Sequence, residues 1–139
     1  PHLFSSAASD VYKRQAYSMA KFGMSLCVLG MAAEFKDDGV AVNALWPRTA
    51  IATAAVKNVL GGEQLVNISR GPEIMADAAY VILTKPSKEF SGNFCIDDTL
   101  LAENGVSDFS VYADVPFDQL APDFFVPEDM PPPEAAKKS

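Results

Sequence analysis

The fold of this chain is decided by residues 16–47, which read AYSMAKFGMSLCVLGMAAEFKDDGVAVNALWP. Residues 16–35 contain no proline and are apolar or small at nearly every position, which predicts a helix that is apolar almost all round. Such a helix needs cover on two faces, from a sheet and from another helix or subunit. Gly39 predicts a left-handed stop after the helix. The short run 40–45, bounded by Gly39 and Pro47, predicts a buried strand.

Helices and strands continue to alternate downstream. Residues 49–60 are compatible with a helix or a mobile lid, closed by the glycines at 61 and 62. Pro72 and Glu73 suit the start of a helix over 73–84, and residues 91–96 predict a second strand. This order is typical of an α/β sheet with crossover helices. Because two strands cannot build such a sheet, we expect the others to come from missing sequence or a partner.

Composition narrows the class of protein. The 139 residues are 49% hydrophobic, enough for the core of one modest domain. A net charge of -7 and a pI near 4.5 argue against nucleic acid or an anionic membrane as a partner. We also expect no apolar run of membrane-spanning length and find no signal-peptide pattern. Cys27 and Cys95 are predicted to be buried, reduced thiols, so the expected location is the cytoplasm or an organelle lumen rather than secretion.

The two ends of the chain differ from its centre. Residues 5–15, SSAASDVYKRQ, match the in-frame translation of a transposase sequencing adaptor, so we interpret 1–15 as a non-native segment and expect the native chain to extend upstream of residue 16. Residues 102–130 lack a helical or strand period and predict an irregular extension whose aromatic side chains pack on the domain, in preference to a peptide-binding surface. Residues 131–139 predict a linker or terminus. Ten acidic residues lie in this half: Asp97, Asp98, Glu103, Asp108, Asp114, Asp118, Asp123, Glu128, Asp129 and Glu134.

Candidate catalytic chemistry lies at Tyr17 and Lys21. A four-residue step on a helix places both side chains on one face. The lysine ammonium stabilises a neighbouring phenolate, and such a phenol can exchange a proton with a carbonyl or alcohol oxygen. The spacing alone is a weak signal, because Tyr17 could simply pack at a helix start and Lys21 could extend to solvent. However, an unpaired charge in an otherwise apolar helix is expensive, which favours a specific role for Lys21.

The sequence around this pair resembles the short-chain dehydrogenase/reductase family. The resemblance rests on the Tyr-x-x-x-Lys pair, Ala20 before the lysine, Gly39 before the strand and Pro47 after it. The stretches WPRTAIATAA (46–55), ADAAY (76–80), SGNFCIDD (91–98) and PDFF (122–125) extend the similarity over residues 16–125. It implies the C-terminal part of a Rossmann-type, doubly wound parallel sheet, with residues 16–101 belonging to the dehydrogenase domain. The first strands and the glycine-rich turn are absent.

The resemblance also implies functional roles. Tyr17 is expected to be the general acid/base, and Lys21 to hold the nicotinamide ribose. Four further residues are expected along the nicotinamide: Pro47, Thr49, Ile51 and Thr53. The implied cofactor is NADP or NAD, with NADP favoured, and the implied partners are a small carbonyl or alcohol substrate and, at full length, copies of the same chain. In a eukaryote the resemblance adds the peroxisome or mitochondrion as locations.

Two departures from the family pattern stand out. Most members have glycine after the proline at this point, whereas this chain has Arg48. In the family, the catalytic serine and the phosphate-binding turn precede the tyrosine, and neither is present in this sequence. We therefore expect the chain alone to be inactive and incompletely covered. The alternative from a different class is a small acidic protein-interaction module without catalysis, with Tyr17 and Lys21 serving only structure.

Overall fold

The computed structural model describes residues 15–123, 125–127 and 129–138. The adaptor-like segment at residues 1–14 lies outside these residues. The described chain divides into two compact units. The first contains residues up to Ala44 together with Pro86–Asn93, and the second contains Leu45–Lys85 and the chain from Phe94 onward. The predicted domain boundaries at 101 and 130 are not tested by this division and stay predictions.

The first unit is built on one long helix, α1 (Gln15–Glu34), as the apolar run predicts. Gly39 follows it with a φ of +70°, a conformation that glycine adopts without strain, which confirms the predicted stop. Beyond the turn, the Asn43 side chain joins two segments: its Nδ2 donates to the Phe90 carbonyl at 3.0 Å and its Oδ1 accepts the Asn93 N–H at 3.0 Å. These bonds bring residues 40–43 beside 90–93.

Most of the apolar surface of α1 is exposed. Ser18 is its only buried residue, while Met19 is 75% exposed and Leu26 68% exposed. An 18-residue window of α1 has a mean hydropathy of 1.2, so by length and composition this helix could cross a membrane, contrary to the expectation that no run is long enough. Core helices of soluble proteins and signal sequences meet the same criterion. The exposure agrees with the expectation that the chain lacks cover for this helix.

The second unit contains a short sheet and three helices. Strands β1 (Ala44–Trp46) and β2 (Phe94–Ile96) pair with each other. In the sequence, helices α2 (Gly62–Val66) and α3 (Glu73–Thr84) lie between the two strands, and α4 (Asp97–Glu103) follows β2 directly. Helices α3 and α4 pack together, and the core has the fully buried side chains Ile74, Ala78, Leu101 and Phe109 at its centre. The helix predicted over 73–84 is therefore confirmed at both ends.

The strands are shorter than predicted. The runs 40–45 and 91–96 reduce to three residues each, at 44–46 and 94–96. Before the strands, side chains replace part of the ladder: the Val42 N–H donates to Ser91 Oγ at 3.0 Å, and the Asn93 N–H donates to the Asn43 amide. The backbone bonds Gly92 N–H to Val42 and Ala44 N–H to Asn93 advance in one direction on both segments, so the pairing is parallel.

Two other segments differ from expectation. Residues 49–51 are extended, a tight turn follows in which the Thr53 N–H bonds the Ile51 carbonyl, and only residues 54–60 are helical, ending in a π-helical turn at Val56–Leu60. Helix α4 was not predicted, although Asp97 and Asp98 are the acidic residues that favour a helix N-terminus. The strand pattern in SGNFCI runs directly into this helix, which concealed its start.

The irregular extension packs on the second unit, as predicted. Phe109 and Tyr112 are buried, and the Tyr112 hydroxyl donates to Asp77 Oδ2 on α3 at 2.7 Å. Burial and the neighbouring Asp77 carboxylate raise the pKa of Tyr112 to about 12, so its hydroxyl keeps its proton at all physiological pH values. Ala136, in a 3-10 turn at Ala136–Lys138, is also buried, so at this residue the C-terminus is not solvated as a free linker.

Candidate active site

The predicted catalytic pair lies in the first unit. Tyr17 and Lys21 are one turn apart near the start of α1, and the Lys21 Nζ is 5.5 Å from the centroid of the Tyr17 ring. The helix therefore brings the ammonium and the phenol onto one face, as the four-residue spacing predicts. Both side chains are exposed. Lys21 therefore extends to solvent, because the described residues leave most of the surface of α1 uncovered.

The four predicted nicotinamide residues lie in the second unit, on an extended segment. Ala50 and Ala52 use their backbone groups on one edge: Ala50 N–H bonds Ala121, Ala50 C=O accepts from Arg70, and Ala52 N–H bonds Arg70, all at 2.8 to 2.9 Å. Successive residues of an extended segment face opposite edges. Thr49 and Ile51 therefore share the other edge, and the Thr53 N–H turns back to bond the Ile51 carbonyl at 2.7 Å.

Three features of this segment bear on its capacity to bind a polar group. No acceptor for the Ile51 N–H is found among the described residues. The Thr53 carbonyl accepts from Lys57 and its hydroxyl accepts the Val56 N–H at 3.4 Å, so Thr53 also begins the following helical turn. Thr49 is 2% exposed and lies opposite Pro122 in an antiparallel bridge.

A buried cluster of charged residues stands behind this segment; we call it the Arg–Asp cluster, and it comprises Arg48, Arg70, Asp97 and Asp98. The Arg48 Nε donates to both carboxylate oxygens of Asp98, at 2.7 and 2.8 Å. Arg70 Nη1 donates to Asp98 Oδ2 at 3.1 Å. All four residues are at most 6% exposed. Their formal charges cancel, which is the condition under which buried charges persist.

Arg48 also contacts three other parts of the second unit. Its backbone N–H donates to Asp97 Oδ1 at 3.0 Å, and its Nη2 donates to Thr99 Oγ1 at 2.8 Å. Its Nη1 donates to the Met130 carbonyl at 2.7 Å, and its own carbonyl accepts the Asp123 N–H at 2.9 Å. One residue thus links the end of β1, the start of α4 and the C-terminal extension.

Asp97 is the titratable group of this cluster. Burial and repulsion by Asp98 raise its pKa to about 6, although hydrogen bonds from the N–H groups of Asp98 and Arg48 act in the opposite direction. Asp97 Oδ2 and Arg70 Nη2 are buried and have no hydrogen-bond partner among the described residues. The Arg70 guanidinium lies instead over the rings of Phe109 and Phe117, 5.7 and 5.5 Å from their centroids.

Sequence reasoning identified Arg48 only as a departure from a family pattern. Its partners are 49 to 82 residues away, so no local spacing could reveal them. A weaker signal was available: Asp97-Asp98 follow an apolar strand directly, where two adjacent carboxylates need cationic partners. Both cysteines are free, as expected, but Cys27 is exposed rather than buried, because it lies on the uncovered α1.

The chain is similar to curated and solved proteins of one kind. Hydroxysteroid dehydrogenase-like protein 2 from Bos taurus is 58% identical over 113 residues, which is 81% of this chain and 26% of that protein. The protein of the same name from Homo sapiens is 54% identical over 123 residues, 88% of this chain and 28% of that protein. The chain thus spans about a quarter of the length of these curated relatives. No family model matches it.

The chain is also similar to solved structures of dehydrogenases. A short chain dehydrogenase from Mycobacterium thermoresistibile has 52% identity and a TM-score of 0.71, over 84% of this chain and 41% of that chain. A putative dehydrogenase from Xanthomonas campestris has 51% identity and a TM-score of 0.74, over 82% and 41%. The chain therefore has part of an α/β, Rossmann-type fold, and it corresponds to a segment of a short-chain dehydrogenase/reductase. The family resemblance and the incomplete sheet predicted from the sequence are confirmed.

Proposed function

We propose that the complete protein carrying this chain is a nicotinamide-dependent oxidoreductase that interconverts a carbonyl and an alcohol, with Tyr17 as its general acid/base. The observation that carries the proposal is the Tyr17–Lys21 pair on one face of α1, with Nζ 5.5 Å from the ring centroid. It occurs in a chain 52% identical to a solved short chain dehydrogenase. This relationship favours an oxidoreductase over an acidic interaction module.

The two side chains have complementary tasks. When a carbonyl is reduced, the Tyr17 hydroxyl donates its proton to the oxygen as negative charge develops there, and in the reverse direction the phenolate accepts the proton of the alcohol. Lys21 stabilises the phenolate by its charge and offers N–H donors to ribose hydroxyls. The bound nicotinamide, as NADP or NAD, supplies or accepts the hydride.

The segment 49–53 fits the amide end of such a cofactor. A carboxamide carries both donors and an acceptor, and the Ile51 N–H is a backbone donor with no acceptor among the described residues. Thr49 and Ile51 share one edge of the extended segment, which follows Pro47 at the carboxyl end of β1, and Thr53 lies in the tight turn that ends the segment. Ligands of open α/β sheets bind at this end of the strands. We assign these four residues to the nicotinamide side of the site.

The chain alone is expected to be inactive. Only two strands occur in its described part, and the family's phosphate-binding turn and catalytic serine precede the residue that corresponds to Tyr17. Activity must therefore be measured in the complete protein, with the chain itself as a negative control.

Tyr17→Phe tests the proposal. The change removes the proton donor and keeps the ring, so carbonyl reduction should fall by roughly 10² to 10⁴ with an unchanged melting temperature. Tyr80→Phe is the matched control, because Tyr80 is 70% exposed on α3 and lies outside the proposed site. Turnover in Tyr17→Phe equal to that in Tyr80→Phe would remove Tyr17 from the mechanism.

A further inference from the structure

Arg48 occupies a position where its side chain is not needed to close the turn itself. By the family resemblance, most members have glycine here, so the backbone can leave the strand without a side chain at this point. In this chain the guanidinium is buried and donates four hydrogen bonds, two to the Asp98 carboxylate, one to Thr99 and one to the Met130 carbonyl, while the backbone N–H of Arg48 donates to Asp97. Its contacts therefore add something that the turn alone does not require.

The backbone of Arg48 controls where the next residues start. Its N–H is held by Asp97 and its carbonyl by the Asp123 N–H, so both peptide groups on either side of its Cα are fixed. The Ala50 N–H then bonds Ala121, two residues before Asp123. Residues 48–50 and 121–123 thus form a short antiparallel pairing, and a shift of Arg48 would move residues 49–53 with it.

The guanidinium of Arg48 also helps to hold the pairing of residues 48–50 with 121–123, through its contacts with α4 and the extension. Asp98 accepts a hydrogen bond from Nε and Thr99 accepts one from Nη2, and both residues belong to the first turn of α4. The carbonyl of Met130, at the far end of the extension, accepts a hydrogen bond from Nη1. A planar guanidinium presents these donors in fixed directions, which an ammonium cannot do. The geometry therefore transmits the placement of α4 and the extension to residues 49–53.

We propose that Arg48 and Asp98 are positioning residues that hold residues 49–53 in the conformation that binds the nicotinamide. Through these two residues, the C-terminal extension supports the cofactor site without contacting the cofactor. The proposal rests on the proposed function for the identity of the ligand. It assigns the extension a role other than covering the core. Neither residue contacts the cofactor, so both act through the backbone of the segment.

Arg48→Lys in the complete protein is the first test. Lysine keeps the positive charge beside Asp98, so the fold is maintained, but one ammonium cannot bond Asp98, Thr99 and Met130 together. We expect the dissociation constant for the preferred nicotinamide cofactor, NADP or NAD, to rise about tenfold. Amide hydrogen exchange at Ala50 and Ala52, measured without cofactor, should accelerate about tenfold while the melting temperature stays within a few degrees.

Two further variants keep the test decisive. Asp98→Asn is used if Arg48→Lys does not fold, because it preserves side-chain shape and one acceptor while removing the charge. Lys57→Met is the matched control: it removes an ion pair of the same unit, Lys57–Glu63, whose side chains are 55% and 64% exposed. Lys57→Met should change neither cofactor affinity nor exchange at Ala50 and Ala52.

The outcomes separate the two proposals. Unchanged cofactor affinity and unchanged exchange in both Arg48→Lys and Asp98→Asn overturn the positioning role. A parent protein that binds neither NADP nor NAD overturns the proposed function, and exchange at Ala50 and Ala52 then decides alone whether Arg48 positions the segment. If the cofactor affinity falls, the melting temperature falls by many degrees and exchange becomes faster throughout the unit, the variant is generally destabilised. That result also counts against the proposal.

Discussion

At the residue scale, Lys21 is the only lysine or arginine of α1. Its ammonium is therefore the only cation that this helix brings to the Tyr17 ring, at 5.5 Å from the centroid. In the proposed enzyme it serves two ligands at once, the phenolate and the ribose. A change at Lys21 should consequently be visible in cofactor binding as well as in turnover.

Lys21→Met tests this double role. Methionine keeps the length of the stem but removes the charge and all N–H donors, so nicotinamide binding by the complete protein should weaken by about tenfold and turnover should fall further. The measurement is a cofactor titration followed by steady-state kinetics. Lys36→Met, an exposed lysine just beyond α1, is the control. If Lys21→Met binds and turns over like Lys36→Met, Lys21 is an ordinary surface residue.

At the residue scale, the sequence predicted correctly the placement of residues that lie close together in the chain. Tyr17 and Lys21 are four residues apart on one helix, and Pro47 marks the end of a strand, so both signals can be read within a short window. The partners of Arg48 are 49 to 82 residues away, and only the fold brings them together. The exposure of Lys21 was missed for a different reason: a helical pattern shows which residues are apolar but not whether a covering surface is present.

At the element scale, α4 begins in an unusual way. Asp97 and Asp98 stand at its first turn, where the helix dipole favours negative charge, yet both carboxylates are fully buried. Asp98 has two arginine partners, whereas Asp97 accepts only backbone N–H groups, at the Arg48 and Asp98 amides. Burial and the neighbouring Asp98 carboxylate raise the pKa of Asp97 to about 6.

This arrangement predicts a pH dependence of stability. Because the pKa of Asp97 is about 6 in the folded chain and about 3.8 when unfolded, the folded state holds this proton over that interval and loses stability as pH rises through it. Asp97→Asn keeps an oxygen acceptor and cannot ionise. Relative to the parent, the free energy of unfolding of Asp97→Asn should therefore increase by about 2 kcal/mol between pH 4 and pH 7.

Urea unfolding of the complete protein at several pH values measures this difference. Asp114→Asn, which removes an exposed carboxylate of the same unit, is the control and should follow the parent. Parallel pH profiles for Asp97→Asn and the parent would show that Asp97 is ionised without penalty. The helix that carries Asp97 escaped prediction because the apolar run before it ends only at Ile96, one residue before the helix begins.

At the scale of the whole molecule, the uncovered α1 dominates. Seven large apolar side chains of this helix are exposed: Tyr17, Met19, Phe22, Met24, Leu26, Leu29 and Met31. A contiguous apolar surface of this kind favours association or aggregation. The exposure of this helix was predicted from the number of strands, since a two-stranded sheet cannot cover a helix that is apolar all round.

We predict that the complete protein is a dimer or tetramer in which α1 contributes to the interface. Burying three side chains such as Met24, Val28 and Met31 contributes on the order of 5 to 9 kcal/mol per subunit before entropy losses. Val28→Asp should therefore dissociate the assembly, as measured by light scattering at micromolar concentration. Leu83→Asp, at an 82% exposed position on α3, is the control and should leave it intact. A folded, active parent monomer contradicts the prediction.

The link between Arg48 and Met130 also has a consequence for biosynthesis. These residues are 82 positions apart, so the ribosome must add the intervening chain before the Nη1 donor can meet its acceptor. At about 5–20 residues per second this takes about 4–16 s. During that time Arg48 lacks part of its hydrogen bonds, and the apolar helix α1, which precedes it in the chain, has already been synthesised. The nascent chain is therefore a natural client for chaperones that bind apolar segments during translation, and a stop codon shortly before position 130 would leave that requirement unrelieved.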